Sequence, residues 1–166
     1  MAETLTVGVV SDTHGLVRVE AIEALRGSDV ILHAGDIGGS HVLEALGALA
    51  SVIPVRGNVD GGWARLLPER RQLDLGGVPV LLLHDRALLG PDPFPPASRP
   101  RSAPAAPPRG IVVFGHSHRP LAETREGVLW FNPGSAGPRR FHLPVCVGRL
   151  VIEDGRVRSR LLTLDV

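Results

Sequence analysis

The stretch Val7-Gly8-Val9-Val10-Ser11-Asp12-Thr13-His14-Gly15 decides how the rest of the chain reads. A short, β-branched apolar run of this kind is a buried strand. It ends in a carboxylate and an imidazole two residues apart, so the loop at its carboxyl end carries two metal-ligand types. Alone the pair says little, because Asp12 or Thr13 can equally cap a following helix. Four later apolar runs also end in ligand chemistry: His33-Ala34-Gly35-Asp36, Arg56-Gly57-Asn58-Val59-Asp60, Leu83-His84-Asp85 and Gly115-His116-Ser117-His118.

Working outward, residues 5–10 are the first strand. Residues 16–25 carry Val19, Ile22 and Leu25 at helical spacing, with Gly27 as the stop. Residues 29–33 form a second strand, Ser40 caps a helix over 41–50, and residues 51–55 form a third strand. This alternation predicts a parallel sheet with right-handed crossovers. In such a sheet a site lies beyond the carboxyl ends of the strands, where the polar clusters fall. The second half reads as hairpins: 71–75 with 78–83 around Gly76-Gly77, 121–126 with 128–131, and 145–153 with 156–164 around Asp154-Gly155. A buried strand at 111–114 stands between the first two. Residues 91–108 hold eight of the 15 prolines, a density that excludes helix and central strand. The expectation is one α/β domain over 1–166, with a proline-rich loop insertion at about 90–109 that is exposed and mobile.

A net charge of +1 gives no reason to expect a nucleic-acid or membrane surface. All 18 basic residues are arginine and tyrosine is absent, so stacking on single-stranded nucleic acid is not expected. The single cysteine, Cys146, sits in an apolar run and has no disulfide partner within the chain. No signal-peptide pattern opens the sequence, and no segment approaches the roughly 18 apolar residues of a membrane span. The cytoplasm is the expected location.

Seven residues combine ligand chemistry with strand-end placement: Asp12, His14, Asp36, Asn58, His84, His116 and His118. Each has a plainer reading. Asp36 can cap a helix, Asn58 can sit in a turn, His84 can be a core histidine, and Gly-His-x-His can be a surface loop. Jointly those readings are hard to sustain, because strand ends in one sheet converge on one edge. Seven ligands exceed what one tetrahedral ion takes and suit two ions sharing a carboxylate. Carboxylate, imidazole and amide donors without thiolate favour Mn, Fe, Zn, Ni or Co. Two ions roughly 3.5–4 Å apart can clamp a phosphoryl oxygen for in-line attack. Among the remaining polar residues, Asp60 and Arg56 are expected to organise the loop around Asn58, with phosphate contact a lesser reading for Arg56. His33 is expected to be a buried strand-end residue and His41 to lie on the surface. His142 follows the Asn132-Pro133-Gly134-Ser135 turn, within possible reach of the site edge. Trp63 and Trp130 are read as core or subunit-contact residues.

In this order, Asp12-x-His14, Gly35-Asp36, Gly57-Asn58-x-Asp60, His84 and Gly115-His116-x-His118 resemble the calcineurin-like metallophosphoesterases. The Asn132–Ser135 turn resembles their small bacterial and archaeal phosphodiesterase branch. The resemblance implies a four-layer αββα sandwich with mixed sheets and a dinuclear site at one edge. It implies that Asp12, His14 and His118 hold one metal, that Asn58, His84 and His116 hold the other, and that Asp36 bridges them. Asp36, Asn58 and His84 are accordingly the catalytic residues. The implied cofactors are two divalent ions, Mn first, with Fe, Ni, Co or Zn as alternatives. The implied reaction is attack of a metal-activated hydroxide on a small phosphodiester. A phosphomonoesterase, or an inactive scaffold of the same fold such as the retromer subunit, is the alternative. A homodimer or homotetramer is consistent with relatives.

Three positions depart from that pattern. Val59 stands where many members carry a histidine, which the small phosphodiesterase branch commonly lacks too. Asp85-Arg86 follows His84 in place of Gly-His. The prolines occupy the region where relatives have a helix.

Overall fold

The structure, a computed structural model, describes residues 2–94 and 108–166. Most of the proline-rich insertion lies outside the described residues. The strands are β1 (Thr4–Val10), β2 (Val30–His33), β3 (Ser51–Pro54), β4 (Arg70–Leu75), β5 (Val78–Leu83), β6 (Gly110–Val113), β7 (Leu121–Arg125), β8 (Val128–Asn132), β9 (Cys146–Glu153) and β10 (Arg156–Thr163). Two helices, α1 (Val19–Leu25) and α2 (Ser40–Gly47), follow β1 and β2.

The strands form two five-stranded mixed sheets, in the orders β10-β9-β1-β2-β3 and β4-β5-β6-β8-β7. In the first, β1, β2 and β3 are parallel, as the alternation predicts, and the β9–β10 hairpin adds antiparallel to β1. The second differs from a run of hairpins. The β4–β5 and β7–β8 hairpins are present, but β5, β6 and β8 pair parallel at its centre. Continuous apolar strands such as 78–83 and 110–113 suit a position buried on both faces. The tight turns at Gly76-Gly77, Glu126-Gly127 and Asp154-Gly155 all have positive φ at both residues, the geometry that matches the strand twist.

Alternation along β1 divides the core. Val7 and Val9 face the second sheet, against Val80, Leu82, Ile111, Val113 and Phe131. Val10 faces the helices, with Ala21, Leu25, Val42 and Leu46. On the outer face of the second sheet, Leu89, Phe94, Leu121 and Trp130 pack over Leu81, Leu83, Val112, Phe114 and Val128. Among the described residues that face carries only a 3-10 turn at Arg86–Leu88 and no α-helix, so the fourth layer expected of the sandwich is thin.

Helix starts differ from the sequence reading. The first helix begins at Val19, not at residue 16, because the Leu16 N–H closes a turn on the Thr13 carbonyl and Arg18 is the cap residue. Val19 faces solvent, and Ala21 and Leu25 carry the buried face. Gly39, not Ser40, occupies the cap position of α2, with no side-chain cap. Trp63 is 42% exposed, so it is not a core residue, whereas half-buried Trp130 packs edge-on to Phe114. No described helix is long and apolar enough to cross a membrane.

Candidate metal centre

The seven expected ligands stand in loops just beyond the carboxyl ends of β1, β2, β3, β5 and β6. Backbone hydrogen bonds zip these loops together: Asp12 N–H to the Gly35 carbonyl, His14 N–H to the Asp36 carbonyl, and Gly115 N–H to the His84 carbonyl. Asp60 adds a side-chain tie between two of them. Its carboxylate accepts the backbone N–H groups of Ile37 (3.1 Å), Gly38 (2.9 Å) and Gly57 (2.8 Å), the organising role expected of it. Arg56 instead pairs with Glu69 at 3.0 Å. His142 is exposed, and no described hydrogen bond ties it to the site.

Five of the seven adopt left-handed backbone: Asp12 (φ 54°), His14 (47°), Asp36 (51°), His116 (69°) and His118 (60°). Non-glycine residues visit this region sparingly, and persistent strain of this kind collects at functional sites. It turns side chains from three separate loops toward one point.

There the donors form two overlapping groups. Asp12, His14 and His118 lie within mutual reach of one ion, as do Asp12, Asp36 and His84. The Nε2 atoms of His14 and His118 are 3.3 Å apart, and His118 Nε2 is 3.4 Å from Asp12 Oδ1. Asp36 Oδ2 lies 3.2 Å from His84 Nε2 and 3.9 Å from His14 Nε2, facing both groups. His116 Nδ1 joins the second group, 3.2 Å from Asn58 Oδ1 and 3.3 Å from His84 Nε2.

The donor set fits a cation. Asp12 is fully buried, and its Oδ1 accepts no hydrogen bond. A buried carboxylate oxygen without a partner is costly, and a metal ion is the partner its histidine surroundings can hold. Its other oxygen accepts from the Ser11 hydroxyl (2.7 Å) and the His116 N–H (3.1 Å).

Burial pushes the His14 imidazole below its ordinary pKa, against the raising pull of Asp36 and Asp12, leaving a neutral ring with a free lone pair. Burial alone would raise the Asp36 carboxyl. The hydrogen bond from His84 and the Val59 N–H reverse that and hold it low. His84 is raised: desolvation works downward, but Asp36, Asp12 and the Ala34 carbonyl together prevail. Its Nδ1–H donates to that carbonyl at 2.7 Å, so the proton it shares with Asp36 is on Nε2, where a cation can replace it.

His33 is buried, as expected, but it also works structurally. Its Nδ1 accepts the Gly35 N–H (3.2 Å), so Nε2–H donates to Thr13 Oγ (3.0 Å), which donates to the Ile37 carbonyl (2.8 Å). Complete burial lowers its pKa to about 4, although Asp12 and Asp60 pull upward. The folded value is below that of the unfolded chain, so the unfolded state takes up the proton first as pH falls. Stability from this group is complete above about pH 6.5 and is lost progressively toward pH 4, by roughly 3 kcal/mol. Urea titrations between pH 4 and 7 should therefore show a shallower pH slope for His33→Gln than for the native chain. Equal slopes would refute the assignment.

Two residues of the Asn132–Ser135 turn noted in the sequence have a supporting role that the sequence did not assign. Ser135 Oγ donates to the Asp12 carbonyl, and Asn132 Nδ2 donates to the Gly115 carbonyl. The Asn-Pro-Gly-Ser turn thus braces two ligand loops from below. The motif itself was the available signal.

Two stacked mixed sheets thus carry carboxylates and imidazoles gathered at their strand ends, in groups that could hold a metal ion. The calcineurin-like phosphoesterase superfamily domain matches residues 5–155, and the chain belongs to that superfamily. It is 27% identical over 169 residues to a probable metallophosphoesterase of Methanocaldococcus jannaschii, covering 98% of this chain and 83% of that protein. It is 28% identical over 171 residues to the phosphodiesterase YfcE of Escherichia coli, covering 84% of each. Its fold also matches vacuolar protein sorting 29 from Cryptosporidium parvum, with a TM-score of 0.70 at 16% identity, covering 98% of this chain and 99% of that one.

Proposed function

We propose that the chain is a metal-dependent phosphodiesterase acting on small diesters, with two divalent ions, manganese foremost, in the paired donor groups. The observation that carries this reading is the partnerless Asp12 Oδ1, buried where both donor groups meet. The phosphodiesterase name of the Escherichia coli relative supports the diester over the monoester. Bound divalent ions supply a nucleophilic water of lowered pKa and offset charge on the phosphoryl oxygens.

The protein's part is to hold the donors. Asp36 presents one carboxylate oxygen to both groups, and His84 is fixed by the Ala34 carbonyl so that its Nε2 stays aimed inward. The reacting water is expected to attack in line with the leaving alcohol. Val59, exposed beside Asn58, has no proton to give that alcohol. Diesters with acidic leaving groups should therefore turn over fastest.

The test is hydrolysis of a chromogenic phosphodiester and its monoester by protein stripped of metal and reloaded with Mn, Fe, Co, Ni or Zn. Metal-restored turnover that favours the diester is expected. Two ions bound per chain with no turnover on either substrate would overturn the enzyme reading in favour of a scaffold.

A further inference from the structure

We propose that Arg140 is a substrate-binding residue: its guanidinium takes an anionic phosphoryl oxygen of the bound ester at the His14 edge of the metal centre. This rests on the phosphodiesterase reading above.

The placement begins at the Asn132–Ser135 turn. From there the chain is laid directly against the loop that carries Asp12 and His14. The Ser135 hydroxyl donates to the Asp12 carbonyl at 2.9 Å, and the Ala136 N–H donates to the Ser11 carbonyl at 3.1 Å. Gly137 follows with no room for a side chain, because a Cβ there would run into the Asp12 and Thr13 carbonyl oxygens. Its own carbonyl is held by the Arg18 guanidinium at 3.1 Å. Residues 138–142 therefore leave from the rim of the donor loops, and all five are exposed.

This exposed segment closes in a two-residue turn, Phe141-His142, in which the Leu143 N–H donates to the Arg140 carbonyl at 3.1 Å. Phe141 takes left-handed backbone (φ 52°) while its side chain is 90% exposed. A bulky residue in that region is strained, and here no burial offsets the strain. Strain of this kind collects at ligand sites, and the turn fixes the backbone from which the Arg140 side chain springs.

Three arginines lie in or against the segment, and two are committed. Arg18 serves the Gly137 carbonyl, and Arg139 donates to the Val166 carbonyl at 3.0 Å. Among the described residues, the Arg140 side chain has neither a hydrogen bond nor an ion pair. Its charge nonetheless reaches the donors: burial is the main cause that lowers His14, and Arg140 lowers it further. A positive charge beside ligands that must hold cations opposes metal binding, so metal binding does not account for its position. An anionic substrate does, because a guanidinium presents paired N–H groups to phosphoryl oxygens.

Arg140→Gln removes the charge and keeps a polar side chain. In manganese-loaded protein its KM for a chromogenic phosphodiester is expected to rise roughly tenfold, with kcat within about twofold of native. The rise in melting temperature on adding manganese should be at least as large as in the native chain, because a repelling charge has gone. The further rise on adding inorganic phosphate to the manganese-loaded protein should shrink. Arg140→Lys should recover part of the KM, and Arg139→Gln should leave it native.

A native KM with a native phosphate shift in Arg140→Gln would overturn the proposal and leave the phosphodiesterase reading standing. A raised KM with the manganese shift lost would make Arg140 a structural residue and overturn it equally. If the native chain turned over no diester with any metal, that reading would fall and the phosphate shift would decide alone. A shift in the native chain that shrinks in Arg140→Gln supports the assignment, and one that is absent or unchanged overturns it.

Discussion

Asp36→Asn is expected to lower metal-restored diester turnover by roughly 10³-fold, more than the 10–100-fold that loss of an outer partner usually costs. Its Oδ2 lies within 4 Å of imidazole nitrogens from both donor groups, His84 at 3.2 Å and His14 at 3.9 Å, as Asp12 Oδ1 does with His118 at 3.4 Å and His84 at 3.9 Å. An amide in its place can still accept the Val59 N–H that Oδ1 now accepts at 3.1 Å, so the loop should persist. What is lost is the charge that a cation needs and that holds the His84 imidazole high.

The distinguishing readout is thermal. Saturating metal stabilises a protein that binds it only when folded, by about 2.7 kcal/mol at a hundredfold excess over Kd. The native chain should melt at higher temperature with manganese, and the variant should shift little. Full turnover together with a native-sized metal shift would remove Asp36 from the centre.

The candidate ligand positions could be picked out because each sits where an apolar run stops. The period of β1 and the glycines at 35, 57 and 115 mark strand ends, and in a parallel sheet those ends share one edge. The parallel β5-β6-β8 centre of the second sheet was not legible. Its pairing depends on which strands meet across long connections, and the Gly-Gly and Glu-Gly turn signals report only neighbours in sequence.

Two features of the site were also hidden for local reasons. Left-handed backbone at Asp12, His14, Asp36, His116 and His118 follows from the hydrogen bonds between loops and has no one-letter sign in non-glycine residues. The early start expected for α1 failed because tertiary bonds outbid helical periodicity: residues 15–18 spend their groups on the Ile37, Thr13 and Gly137 carbonyls.

Gly57→Ala should combine a loss of about 2–3 kcal/mol in stability with loss of metal binding, although residue 57 touches no ion. A Cβ at this position would meet Asp36 Oδ1 and the Asp36 backbone nitrogen, with the carboxyl carbon 2.8 Å away. Gly57 is not in left-handed backbone, so alanine brings no conformational penalty of its own and the clash alone sets the effect.

Relief is difficult because Asp36 is held on three sides. Its carbonyl accepts the His14 N–H, its carboxylate accepts the Val59 N–H, and the preceding Gly35 carbonyl accepts the Asp12 N–H. Displacing Asp36 therefore drags the loop that carries Asp12 and His14, and Asp12 is shared with the other donor group. The urea midpoint of metal-free protein measures the first effect, and the shift on adding manganese measures the second. Gly62→Ala, where an added Cβ meets nothing within 4 Å, should stay within about 0.5 kcal/mol of the native chain on both counts. If Gly57→Ala behaved like Gly62→Ala, the close approach of the Asn58 loop to Asp36 would be wrong, and with it the convergence of the two donor groups.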